Sequence, residues 1–262
     1  MEKETKRLPI VRFSNGKIER IRDLVVKEVP LTIVLDDREL VTLLCSPREK
    51  EQLAVGFLFS EGLLKSKADI GKLVVDDKHG VVWINRTKPT DIKDDHFIKR
   101  FITTGCGKGF SFTDASEEQG MKIKSKLKIS PRKIPSLMKE FHQKSETHKM
   151  TGGVHGAVLC DENGIVLFSE DIGRHSAIDK VLGRCLLEEI PMEDHFMIVS
   201  GRISSEILLK IARAGIPIIV SKSAPSDLGV MLANKLGITL VGFARGKRMN
   251  VYSNQARIKA LK

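Results

Sequence analysis

The stretch from residue 195 to 243 constrains the fold most. It reads "HFMIVS", "SSEILLKIARAG", "IPIIVS", "SDLGVMLANKLG" and "ITLVGF" in succession: apolar runs of strand length alternate with helices of periodic apolar spacing. Strands joined through helices of that length pair in parallel, with right-handed crossovers. Their carboxyl ends then share one edge, and ligands favour the crevice outside it. Just upstream, "GAVLC-DENG-IVLFS" reads as a hairpin and "GRHSAIDKVLGRCLLEE" as an amphipathic helix.

The N-terminal part has a different texture. "DLVVKEV" and "LTIVLDD" flank Pro30, and "ELVTLLC" follows a DDR turn, so three strands are expected. "SPREKEQLAVGFLFSEGLLKS" reads as a helix, with Ser46 as cap, Pro47 in the first turn and Glu49 completing a capping box. Leu53, Phe57 and Leu64 share one expected face, and Gly62 lies near the stop. "KLVVDDKHGVVWINR" reads as a hairpin, and "PRKIPSLMKEFHQKSE" as a basic helix from residue 131. The reading is therefore α/β, α+β overall. A β-rich N-terminal unit spans residues 1–130, and an αβ unit with a mixed, partly parallel sheet spans 131–262.

Three of the predicted strands end in "SGR", "SKSAPSD" and "ARGKR". The first two lead into helix N-termini, which favour anions. The third gathers Arg245, Lys247 and Arg248 around Gly246. Hydroxyls, backbone donors and cations at one edge suit a phosphate or pyrophosphate. No "GxGxxG" or "GxxxxGK[ST]" is present, so neither a dinucleotide fingerprint nor a P-loop supports that inference. His155, Arg174, His175, Ser200, Arg202 and Ser223 are further candidates for the same pocket; histidines at such places are more often structural than catalytic. Cys and His are too scattered for a metal site, and none is expected.

Charge points the same way. The net charge is +11, which attracts nucleic acid, membranes or phosphorylated ligands. Aromatics make up only 5%, with one Trp and one Tyr, so base-stacking platforms are scarce and an anionic small molecule or acidic protein is preferred to nucleic acid. The start "MEKETKRLPIV" has no apolar h-region, and no apolar run reaches membrane-span length. Cys45, Cys106, Cys160 and Cys185 are widely spaced, as expected of a reduced, cytoplasmic protein.

Cys45, Cys160 and Cys185 sit in apolar strand or helix contexts and read as core. Cys106 does not. It lies in "TTGCGKGF", residues 103–110, with little bulk beside it and Lys108 to favour its thiolate. Such a thiol suits a nucleophile or a sulfur carrier. A Cys-His hydrolase with His155 or His175, and a phosphate-binding regulatory module without chemistry, remain alternatives.

These residues also carry a resemblance. "EVPLTIVLDDRELVTLLCSPREKEQLAVGFLFSEGLL", "TTGCGKGF", "TGGVHGAVLC", "EDIGRHSAIDKVLG" and the run from "SGRISSEILLK" to "GFARGKRMNVYS" together resemble the FdhD/NarQ family, in the family's order and over nearly the whole chain. The resemblance implies a C-terminal unit similar to the cytidine deaminase fold without its zinc chemistry, and a homodimer. It implies a sulfurtransferase that takes sulfur from a cysteine desulfurase as a persulfide on Cys106. The sulfur goes to the molybdenum (or tungsten) bis-guanine-dinucleotide cofactor before insertion into formate dehydrogenase. Phe243, Ala244, Arg245, Gly246, Lys247 and Arg248 match the family's cofactor-binding segment. One departure stands out: many members carry a CxxC at the loop, where this chain has Gly109.

Overall fold

A computed structural model describes residues 4–89, 100–102 and 121–260. Cys106 and Gly109 lie outside the described residues.

Chain order sets out the parts. Strands β1 (Thr5–Ser14) and β2 (Lys17–Val26) form an antiparallel ribbon of their own. Strands β3 (Val29–Leu35) and β4 (Arg38–Cys45) are followed by helix α1 (Lys50–Ser60), the hairpin β5 (Ile70–Asp76) and β6 (Val81–Arg86), and β7 (Arg100–Ile102). These make a five-stranded sheet of order β5-β6-β3-β4-β7. Helices α2 (Lys133–Lys144) and α3 (Glu146–Thr151) lead to the hairpin β8 (His155–Cys160) and β9 (Ile165–Asp171), then α4 (Arg174–Leu187). The predicted alternation follows: β10 (Phe196–Val199), α5 (Ser205–Arg213), β11 (Ile218–Ser221), α6 (Asp227–Leu236), β12 (Thr239–Arg245) and β13 (Arg248–Ser253). The second sheet has order β13-β12-β11-β10-β8-β9. Its centre, β10-β11-β12, is parallel; β8 and β13 run against it, and β9, antiparallel to β8, runs with it, so the sheet is mixed.

Alternation along the strands sorts the two cores. Val158, Phe196, Ile198, Val220 and Val241 meet Ile134, Leu137 and Phe141 of α2 on one face. Leu159, Met197, Ile219 and Leu240 face the other way, onto α4, α5 and α6. That second core is continuous through α1 into Leu31, Ile33 and Leu35 of β3. Helix α1 is therefore sandwiched, and its residues are buried all round, from Leu53 to Ser60. The single apolar face expected from Leu53, Phe57 and Leu64 is too narrow a description.

Helices α1 and α4 touch backbone to backbone. A Cβ at Gly56 would lie 1.7 Å from the Asp179 carbonyl oxygen, and one at Gly183 would lie 1.9 Å from that of Gln52. Only glycine fits such a crossing. Charges close the same junction. Lys210 Nζ on α5 donates to both Asp179 carboxylate oxygens at 2.9 Å, and Ser60 Oγ on α1 donates to Asp179 Oδ1 at 2.6 Å. Burying such groups is tolerable because each finds its partner.

The capping box expected at α1 is not formed. The helix begins at Lys50, and Glu49 adopts a left-handed conformation (φ 56°). Ser46 Oγ instead accepts the Ile172 N–H at 3.1 Å, and Ser169 Oγ donates to Glu49 Oε1 at 3.2 Å. Both capping residues are recruited to a junction with the end of β9, a contact across more than a hundred residues of sequence.

Candidate functional site

The carboxyl ends of β10, β11 and β12 meet the start of β8 and the end of β9 at one edge. Antiparallel pairing brings these last two there: Val199 pairs with Ala157, and His155 with Asp171. Over the edge lies a cleft of about 880 Å³. Pro135, Met138 and Phe141 of α2 with Val154 form its apolar wall. Lys222, Ser223, Arg245 and Lys247 form the opposite, cationic rim.

The rim is braced from within the sheet. Ser221 Oγ donates to the Gly201 carbonyl at 2.6 Å and accepts the Ser223 N–H at 2.9 Å. The Phe243 N–H donates to the Ser223 carbonyl at 3.0 Å. Arg245 Nε donates to the Lys222 carbonyl at 2.8 Å, and its guanidinium carbon lies 5.9 Å from the Phe243 ring centre. Phe243 itself has φ 51°, in a stretch where the β12–β13 register shifts. A left-handed backbone is rare for a bulky side chain and clusters at functional sites.

Beyond it the β12–β13 turn sets Arg245 directly opposite Arg248, with Gly246 and Lys247 between. Like charges facing across an antiparallel pair are destabilising. Among the described residues neither arginine, nor Lys222 or Lys247, has a carboxylate partner. Of the six residues singled out in sequence, Ala244, Arg245, Gly246 and Lys247 line the cleft. Phe243 is half-buried beneath the rim, and Arg248 is exposed behind the turn.

His155, Ser200 and Ser223 also line it; Arg174, His175 and Arg202 do not. His155 Nδ1 lies 3.2 Å from Ser200 Oγ, which accepts the Gly156 N–H at 3.0 Å. Burial, then the nearby Arg174, lowers the His155 pKa, favouring the neutral ring. Arg174 packs behind Gly201, where a Cβ would lie 3.0 Å from the Arg174 Cβ. His175 is turned inward; its Nε2 lies 3.2 Å from Glu206 Oε2 but off a hydrogen-bond line. Burial, with Lys210, Arg174 and His155, pushes its pKa down to about 3. Sequence reasoning missed the apolar wall: the stretch from residue 131 reads only as a basic helix, yet its Met138 lines the cleft with His142 and His148.

The three described thiols lie in the core, as expected. Cys45, Cys160 and Cys185 are buried and unpaired with one another. Burial pushes Cys45 and Cys185 up to about 12, and raises Cys160 as well, so these three are inert. Among the described residues no three His, Cys, Asp or Glu side chains converge on a metal position. No helix among them is long and apolar enough to cross a membrane.

The fold and site together define a mixed αβ sandwich protein whose cationic, apolar-walled cleft opens over its strand ends. Comparison with known proteins then sharpens the class. The sequence model of the FdhD/NarQ family matches residues 26–259. The sulfur carrier protein FdhD of Bacillus subtilis (strain 168) is 41% identical over 249 residues, covering 95% of each chain. The protein of that name from Listeria innocua is 42% identical over 255 residues, covering 96% of this chain and 98% of the relative. A crystal structure from Desulfotalea psychrophila, assigned as a formate dehydrogenase accessory protein, matches with a TM-score of 0.81 at 28% identity, covering 98% of this chain and 100% of that one. The chain belongs to the FdhD/NarQ family.

Proposed function

We propose that this protein is a sulfur carrier for formate dehydrogenase. Cys106 holds the sulfur as a persulfide, and the cleft holds the acceptor, the molybdenum bis-guanine-dinucleotide cofactor, as substrate. In this reading residues 1–130 carry the sulfur and 131–262 hold the cargo. The observation that carries it is the cationic rim of Lys222, Arg245 and Lys247 set against an apolar wall, with Arg248 opposite Arg245 behind the turn. Facing cations of this kind are relieved by an anion such as a dinucleotide pyrophosphate, and the wall of Pro135, Met138 and Phe141 suits a planar ring.

The chain path supports the thiol's part. Strand β7 runs parallel to β4, with Ile102 beside Leu43. Just past the end of β4, the Ser46 N–H donates to Asp171 Oδ2 at 2.9 Å, and Ile172 lines the cleft. Cys106 is four residues beyond Ile102, a fully extended reach of about 14 Å.

The chemistry is two displacements at sulfur. The Cys106 thiolate attacks the outer sulfur of a cysteine desulfurase persulfide, and the desulfurase cysteine leaves as thiolate with the S–S pair. The acceptor's metal, arriving in its reduced state, would then supply an electron pair to the outer sulfur and be oxidised by two electrons, and Cys106 would leave as thiolate with the second S–S pair. The persulfide proton is lost to solvent. Lys108 favours the thiolate in both steps. With Gly at position 109, a single thiol serves without a local resolving cysteine.

Incubation with a desulfurase and cysteine is expected to add one sulfur, about 32 Da, to the intact protein and none to Cys106→Ala. That variant is expected to fold normally and to leave formate dehydrogenase inactive in a complementation assay. Full complementation by Cys106→Ala would overturn the carrier reading. It would favour a phosphate-binding module without chemistry.

A further inference from the structure

The β1–β2 ribbon is the one element the cleft does not explain. It pairs with neither large sheet. Almost all of it precedes the residues matched by the family model. A lone two-stranded hairpin is marginal in water, so something must hold it. Its base is well fastened. Glu4 accepts from Thr147 Oγ1 of α3 at 3.2 Å and pairs with Arg48 Nε at 3.0 Å. Val26 packs so tightly on Gly153 that a Cβ there would lie 2.8 Å from its Cγ1. Gly153 lines the cleft, so the ribbon springs from the cleft wall.

Its far end is uncovered. Phe13 is 76% exposed, Ile18 68% and Val11 51%. Phe13 stands opposite Ile18 and Val11 opposite Arg20, so the three apolar side chains share one face. The ribbon carries six Lys and Arg against Glu19 and Asp23, a net charge of +4. A second copy of this chain, itself +11, would meet it with like charge. An apolar tip ringed by cations fits an acidic surface that holds an apolar pocket.

We infer that the ribbon is the docking arm for the protein that takes the cargo from the cleft, an acidic partner with a pocket for Phe13. This rests on the carrier reading above, in which that partner is formate dehydrogenase lacking its cofactor. A sulfur donor needs only to reach Cys106. A cargo acceptor must be held in register with the cleft, and the arm is built into the cleft wall.

The experiment measures binding of the full chain to immobilised cofactor-free formate dehydrogenase, at low and at physiological salt. Phe13→Ser/Ile18→Ser is expected to weaken binding at least tenfold, and Lys17→Glu/Arg20→Glu to weaken it chiefly at low salt. Both variants alter exposed positions, and unchanged melting confirms that they fold. GDP affinity and sulfur loading of Cys106 are expected to stay as in the unmodified chain. Equal binding by both variants overturns the arm. So does a loss of desulfurase binding in place of acceptor binding, or a halving of the sedimentation mass, which would make a second copy the occupant. If the unmodified chain does not bind the acceptor, the carrier reading itself fails; if it binds and the variants match it, only the arm fails.

Discussion

Two sets of cations divide the molecule. Lys180 and Lys210 are buried. Lys180 Nζ lies 2.7 Å from Asp171 Oδ2, with both side chains 0% exposed, and Lys210 is gripped by Asp179 with Glu61 nearby. Lys222, Arg245 and Lys247 at the cleft rim and Arg248 behind the turn are all exposed, and among the described residues none meets a carboxylate. The same residue types thus do opposite work. A buried cation that has lost its partner costs far more than a rim cation, because the interior cannot solvate what is left. A rim cation costs the fold little, and its charge stays free for a ligand. Changes inside should move stability and leave binding alone; changes at the rim should do the reverse.

The sharpest way to break that division is Lys210→Met, which leaves Asp179 buried without its cation. It is expected to lower stability by about 3–5 kcal/mol in urea unfolding, with GDP affinity within twofold of the unmodified chain. A matching loss of GDP affinity would tie the junction to the cleft and erase the contrast. Next is Gly183→Ala, which pushes a methyl group into the Gln52 carbonyl on α1. The expected cost is about 1–3 kcal/mol, again without an effect on binding. At the rim, Arg245→Ala/Lys247→Ala is expected to weaken GDP about tenfold or more by calorimetry, a loss of about 1.4 kcal/mol, with the unfolding midpoint unmoved.

A last contrast lies in pH dependence. His175 is held neutral, with its pKa down at about 3, while in the unfolded chain it returns to 6.5. Its contribution to stability is complete above pH 6.5 and is lost progressively as pH falls towards 3, by about 1.4 kcal/mol per pH unit at most. Between pH 6.5 and 5 the His175→Gln variant should show a flatter stability profile than the unmodified chain. Parallel profiles would mean the ring is protonated in the folded state.

The sequence was most legible where local pattern and final packing agree. From β8 to β12 every predicted strand and helix is present, because their apolar periods face a sheet on one side only. Helix α1 was less legible. Its start depends on Ser46 and Glu49 bonding to Ile172 and Ser169, partners that no local window contains. The ribbon from Thr5 to Arg22 does not appear in the sequence reading, although Asn15-Gly16 is a strong hairpin signal; both residues have positive φ, as a tight turn of that type requires. In the cleft, Arg245 and Lys247 could be read from composition at a strand end. The wall of Met138 and Phe141 could not, since nothing in an amphipathic helix says that one flank will overhang a strand edge.

The close contact of Gly56 and Gly183 also sets a timetable for synthesis. Helix α1 is buried on two sides; β3 precedes it, but the second surface that buries it begins at Arg174, more than a hundred residues later. At ribosomal rates of about 5–20 residues per second, the helix waits on the order of ten seconds without its partner. During that interval its exposed Leu and Phe side chains invite chaperones or aggregation. Expression yield should therefore depend on translation speed between residues 60 and 174 more than on the stability of the finished protein.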